Sequence, residues 1–150
     1  MDHQDVRDFN ARFGLKEAPI PSFLQGELLL FRVHFMIEEL NEFLVAQGVP
    51  AEVLLYHRPD SESPTPNLIE AADALVDLSY VVHGTASLMG LPWQGLWDEV
   101  QRANMAKVRA TDPSQSKRGS KFDIIKPAGW TPPDHTPLLG TGPWPEFSGD

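Results

Sequence analysis

Two segments constrain this chain most: each is apolar almost all the way round a helix, yet each carries a line of carboxylates. The first, residues 23–47, spreads Leu28, Leu29, Phe31, Val33, Phe35, Ile37, Leu40 and Phe43 over more than the single stripe of a surface helix. A helix of that kind is expected to be mostly buried. On it His34, Glu38 and Glu42 recur every four residues and form one ridge, with Glu39 on the adjoining edge. The second segment, residues 67–89, has Leu68, Ile69, Leu75, Val76, Leu78 and Val81 on all sides, and Glu70, Asp73 and Asp77 fall at i, i+3 and i+7. Those three acids also line up.

Burying an unpaired carboxylate costs several kcal/mol or raises its pKa until it is neutral, and neither strip holds a Lys or Arg to offset it. A divalent cation is the simplest remedy. Oxygen ligands from two helices suit a hard ion, Mg²⁺ or Mn²⁺, that keeps waters and takes substrate phosphates as its other ligands. The competing reading leaves these acids in solvent, where most Glu and Asp reside.

At 150 residues the chain is long enough for one domain that buries its own core. It has no cysteine, which excludes disulfides and thiolate metal sites. No basic region followed by an apolar run opens the chain, and Arg32 and His34 interrupt its richest apolar stretch. Neither a signal peptide nor a membrane span is expected, and the cytoplasm is the default location. The net charge of -9 argues against a nucleic-acid polymer as partner. Seven of the twelve basic residues, Arg102, Lys107, Arg109, Lys117, Arg118, Lys121 and Lys126, nevertheless share one stretch opposed only by Asp112 and Asp123. Such a segment suits a small anion.

In chain order, residues 5–13 read as a short helix whose Val6, Phe9 and Phe13 face a core. Gly14 and the prolines at 19 and 21 separate it from the long helix, which Gly48 and Pro50 close. Residues 51–56 suggest a short apolar turn, and 57–67 a polar loop. The third helix starts near Pro66 and ends at Met89-Gly90; within it Gly84 leaves room for a helix or ligand, and Tyr80 and His83 suit core or rim positions. The fourth helix, from Pro92 or Trp93 to about Arg109, places Trp97, Val100, Asn104 and Lys107 on one face. Past Thr111, where half of the fourteen prolines lie, no helical period survives. Residues 122–125 suggest a short strand and 126–130 a turn carrying a cation and an aromatic. The expected architecture is all-α, an antiparallel bundle of four main helices over residues 1–134, with an extended or disordered Pro-rich tail at 135–150.

Several stretches carry a resemblance. They are Glu38-Glu39-x-x-Glu42, Asp73-Ala-Leu-Val-Asp77-Leu-Ser-Tyr-Val-Val, Gly84-Thr85, the Met89-Gly90-Leu91-Pro92 break, and Glu99-Val-Gln-Arg-Ala-Asn104-Met-Ala-Lys107. Together they resemble the all-α nucleoside triphosphate pyrophosphohydrolases, the MazG-like superfamily that includes phosphoribosyl-ATP pyrophosphohydrolase. The Lys121-Phe-Asp and Lys126-Pro-Ala-Gly-Trp130-Thr-Pro-Pro-Asp134 stretches are similar to one phage and bacterial branch of that group.

The resemblance implies a dimeric or tetrameric helical protein that cleaves a nucleotide between its α and β phosphates and releases pyrophosphate. Carried over residue by residue, it implies Mg²⁺ on Glu39, Glu42 and Asp77. Ala74 stands where the pattern has a second acid, and Asp73, or Glu70, is expected to replace it. Glu38 and Glu39 are the candidate catalytic residues, Glu38 orienting the attacking water or holding a further ion. Asn104, Lys107, Lys121 and Lys126 are expected on phosphate oxygens, and Trp130 against a base. Two other classes share inward-facing acids on helices. A ferritin-like di-iron bundle needs Glu-x-x-His, and no Glu or Asp here has a His three residues later. A non-catalytic helical module, its acids holding a structural cation or a partner, is the stronger rival, and Ala74 favours it.

Overall fold

The computed structural model describes residues 3–146 except 57, 59–61, 63 and 121, and the backbone alone of His3. It is all-α, with four main helices: α1 (His3–Arg12), α2 (Gly26–Ala46), α3 (Leu68–Leu88) and α4 (Trp93–Met105). Two-residue strands β1 (Val108–Arg109) and β2 (Ile124–Ile125) pair antiparallel, and one helical turn, α5 (Thr136–Leu139), follows. The fourth helix stops at Met105, short of the Arg109 expected from periodicity, because the chain there turns into β1. Within the tail expected to be extended, Thr136–Leu139 is helical. No helix among the described residues is long and apolar enough to cross a membrane.

The first three helices end alike. Gly14, Gly48 and Gly90, at φ +64°, +72° and +64°, each take the left-handed position just past the helix. The glycine N–H and the next one close back on the last turn: Gly48 donates to the Val45 carbonyl and Val49 to that of Leu44. This paired closure satisfies carbonyls the helix itself leaves open, and an L side chain at that φ would be strained.

The chain packs as two compact units, residues 1–19 with 69–150, and residues 20–68. In the first unit α4 is the spine. The α1 helix docks on it through Asp5: the Trp97 indole Nε1 donates to the Asp5 carboxylate at 2.9 Å, and Gln101 Nε2 donates to the Asp5 carbonyl at 3.2 Å. Below them Arg109 Nη1 donates to the carbonyls of Phe13 and Gly14 at 3.2 and 2.8 Å, which ties β1 to the end of α1.

The C-terminal segment is laced onto α4 as well. Trp130 Nε1 donates to the Ala103 carbonyl at 2.7 Å, capping a carbonyl of the helix's last turn, and Ala103 is fully buried. Arg102 forms a two-pronged pair with Glu99 at 2.9 and 2.7 Å and also donates to the Pro132 carbonyl. Glu99 in turn accepts from the Asp134 backbone N–H at 2.9 Å. Leu138 lies against Gly95 so closely that a Cβ there would come within 3.0 Å of its side chain. A side chain at that point would push Leu138 of α5 outward by a few tenths of an ångström.

Between strands and tail, Asp123 gathers the 116–123 loop. The Ser116 hydroxyl donates to it at 2.6 Å and Arg118 Nη1 at 3.1 Å, with Asp123 only 5% exposed. The Ser116 oxygen also accepts from the Arg118 and Ser120 backbone N–H groups. In the second unit, α2 is followed by residues 49–56 without regular structure, which return along it.

The burial expected for the two apolar helices is not met within this chain. Residues 69–82 of α3 are all exposed, including Ile69 at 80%, Val76 at 65% and Val81 at 64%. On α2, Leu30, Leu40 and Phe43 are about half exposed. Helical periodicity sets which residues share a face and leaves open what packs on that face.

The Glu99 latch makes stability depend on acid. Hydrogen bonding by Arg102, and then by the Asp134 N–H, lowers the Glu99 carboxyl from 4.5 to about 2. A lowered carboxyl pKa contributes stability above its unfolded value and loses it as pH falls through the folded one. The difference in Tm between wild type and Glu99→Gln is therefore expected to be fully present above pH 4.5 and to close as the pH falls to about 2. Thermal unfolding of both proteins across that window checks it.

Candidate functional site

In the unit of residues 20–68 the ridge read from the sequence is present. His34, Glu38 and Glu42, together with Asn41, line an open groove of about 750 Å³ on α2. Its other wall comes from residues 52–55, which contribute Glu52 and the apolar side chains of Val53, Leu54 and Leu55. Glu38 is half-buried and Glu42 exposed. Glu39 is exposed and lies off the groove, one position round the helix.

Asn41 ties this wall to α2. Asn41 Nδ2 donates to the Val53 carbonyl at 3.0 Å, and the Val53 N–H donates to Asn41 Oδ1 at 2.7 Å. Both backbone groups of Val53 are thus satisfied by a carboxamide, as a neighbouring strand would satisfy them. Neither Asn41 nor Glu52 stood out in the sequence. The available signal was a lone amide on a helix whose other polar residues are all ionisable.

On α3, Glu70, Asp73, Ala74 and Asp77 are exposed, as is Tyr80, while His83 meets Trp93 edge-on at 5.0 Å. Gly84 has no atom within 4 Å of where a Cβ would stand, so it does leave open space. Among the described residues, no three His, Asp or Glu side chains come together closely enough to hold a metal between them.

In the other unit the basic stretch divides by task. Arg102, Arg109 and Arg118 are engaged in the Glu99, Phe13–Gly14 and Asp123 contacts above. Lys107 and Lys126 converge instead: their Nζ atoms lie over the Trp130 ring, 5.7 and 4.7 Å from its centroid. Strand register explains the meeting. With Val108 opposite Ile125 and Arg109 opposite Ile124, the next position outward sets Lys107 opposite Lys126.

Trp130 reaches them because the expected turn is there. Trp130 N–H donates to the Pro127 carbonyl at 3.1 Å, and Gly129 holds the positive φ of +77° that this turn needs. The indole π-system attracts each of the two ammonium groups. Asn104 is half-buried, one turn before Lys107 on α4. Lys121 lies outside the described residues.

A family model for phosphoribosyl-ATP pyrophosphohydrolase matches residues 6–104, a stretch that includes the acids of α2 and α3 and Asn104. No curated protein matches. Among solved structures, one from Exiguobacterium sp. 255-15, described as a candidate NTP pyrophosphohydrolase, is similar at 25% identity and a TM-score of 0.61. The likeness covers 87% of this chain and 88% of that one. With two thirds of its length under one family model, the chain belongs to the phosphoribosyl-ATP pyrophosphohydrolase family.

Proposed function

We propose that this protein is a Mg²⁺-dependent nucleoside triphosphate pyrophosphohydrolase, converting a ribo- or deoxyribonucleoside triphosphate to the monophosphate and pyrophosphate. The observation that carries the reading is the pair Glu38 and Glu42, one helical turn apart on a groove wall inside the stretch matched by the family model. The similarity to a candidate NTP pyrophosphohydrolase supports the triphosphate as substrate. The family match equally favours phosphoribosyl-ATP, which is the second reading.

The donor set suits the ion. Mg²⁺ takes one or two carboxylates and completes its shell with water and phosphate, so it does not require three protein acids in one cluster. Glu39 and Glu42 on α2, with Glu38, and Asp73 and Asp77 on α3 are the carboxylates proposed as its ligands. Mn²⁺ is the alternative ion. When bound, such an ion neutralises charge on phosphate oxygens and makes a coordinated water more acidic.

The chain's own residues do the rest. Glu38 accepts a proton from the water as its oxygen attacks the α-phosphorus; the bond from that phosphorus to the bridging oxygen breaks, and pyrophosphate departs with the bond's electrons. Asn104, Lys107, Lys126 and Lys121 receive phosphate oxygens and steady the leaving group. Trp130 serves them as a platform, since its ring already faces two ammonium groups and its N–H is engaged by Ala103.

A nucleotide is thus the partner, rather than a nucleic-acid polymer or a membrane, and the cytoplasmic nucleotide pool is the place of action, where the enzyme removes unwanted nucleotides. The exposed apolar face of α3 calls for a second copy of the chain, as a homodimer or homotetramer.

Pyrophosphate release measured over a panel of nucleoside triphosphates and phosphoribosyl-ATP, with Mg²⁺ or Mn²⁺, tests the proposal. Turnover is expected for a triphosphate, to vanish in Glu39→Gln, and to fall on the order of 100-fold in kcat in Glu38→Gln. Turnover of phosphoribosyl-ATP alone selects the second reading, and silence across the panel favours a non-catalytic module. Lys126→Ala is expected to raise KM roughly 30-fold, the equivalent of losing one charge-assisted hydrogen bond of about 2 kcal/mol. Sedimentation at micromolar concentration is expected to give a dimer or tetramer, and Val81→Glu to shift it toward monomer; a monomeric wild type contradicts the assembly.

A further inference from the structure

Residues 51–56 have no regular structure, and within them Val53 has both its backbone groups taken by the Asn41 carboxamide. Those two hydrogen bonds fix the position of Val53, Leu54 and Leu55 against α2, and so the width of the groove. The groove has two characters. Its α2 wall carries Glu38 and Glu42 beside Ile37 and Val45, and its returning wall, past Glu52, is apolar from Val53 to Leu55, with Leu54 72% exposed and Leu55 50% exposed.

A nucleoside triphosphate is divided in the same way, with a flat, weakly polar base at one end and a polyanion at the other. Ligand sites of this kind pair a mostly apolar surface with a few placed polar groups. Carboxylates on a helix keep their positions whether or not the neighbouring segment is tethered. The apolar wall does not, because its backbone has no ladder or helix to hold it.

We infer that Asn41 is a positioning residue: by clamping Val53 it holds the Val53–Leu55 wall as the surface that receives the nucleoside end of the substrate, and so sets affinity and base selectivity. The inference rests on the pyrophosphohydrolase reading. It assigns Asn41 no contact with the reacting atoms, and it assigns Leu54 a contact with substrate.

The test uses the full chain and two variants, Asn41→Ala, which removes both hydrogen bonds, and Leu54→Ala, which trims the wall at an exposed position. Each is expected to raise KM for the preferred triphosphate about tenfold through lost preorganisation or contact, with kcat within about twofold of wild type. The ratio of kcat/KM between preferred and poorer bases is expected to fall toward one in both. Hydrogen exchange at the Val53 amide is expected to speed up in Asn41→Ala only. A purely structural role would lower the active fraction, and so kcat, without moving KM or the base ratio.

Unchanged KM and base ratio in Leu54→Ala, or in a folded Asn41→Ala, overturn the inference while the wild type's turnover keeps the enzyme reading. If Asn41→Ala fails to fold, Leu54→Ala alone decides. A wild type inert on every triphosphate overturns that reading and the inference with it.

Discussion

Carboxylates one turn apart on a helix face repel one another by about 0.2–0.5 kcal/mol, and so favour water or a cation beside them over an apolar core. That preference shapes what α2 can be. The helix cannot turn its acid ridge into an apolar core, and Glu38 and Glu42 instead border a groove that water and a ligand can enter. It also cannot turn the opposite side to water without exposing Leu30, Leu40 and Phe43. A helix under both demands is suited to a ligand on one side and a protein surface on the other.

The helices were legible because their signals are local. Apolar spacing located all four, and glycine at the left-handed closing position marked the ends of α1, α2 and α3 within a residue or two. The acid ridge of α2 followed from the same spacing, since i and i+4 share a face whatever surrounds them. The end of α4 was overrun because Lys107 and Val108 continue its period, while the pairing of Val108 with Ile125, seventeen positions on, takes them out of the helix.

Contacts that depend on a backbone carbonyl far along the chain left no mark in the sequence. Arg102 reaching Pro132, Arg109 reaching Gly14 and Asn41 reaching Val53 are of this kind, because a carbonyl is present at every residue and singles out none. For the same reason spacing alone does not say which of the seven basic residues serve as structural ties. The fold spends three arginines on holding α1, the 116–123 loop and the tail in place, and brings two lysines together at Trp130. The planar, many-donor guanidinium suits ties to several acceptors at once, whereas the ammonium groups of Lys107 and Lys126 lie over the Trp130 ring.

The meeting of Lys107 and Lys126 hangs on a sheet only two residues deep. In so short a ladder, sliding one strand by a single residue would send neighbouring side chains to opposite faces and part the lysines. The loop between the strands is free of that restriction, because Ala110 and Asp123 already join its ends through a backbone hydrogen bond. The exposed Pro113–Gln115 turn is accordingly where a change in loop length would disturb the two lysines least. The two residues on each side of that hairpin hold the register on which the placing of both lysines depends.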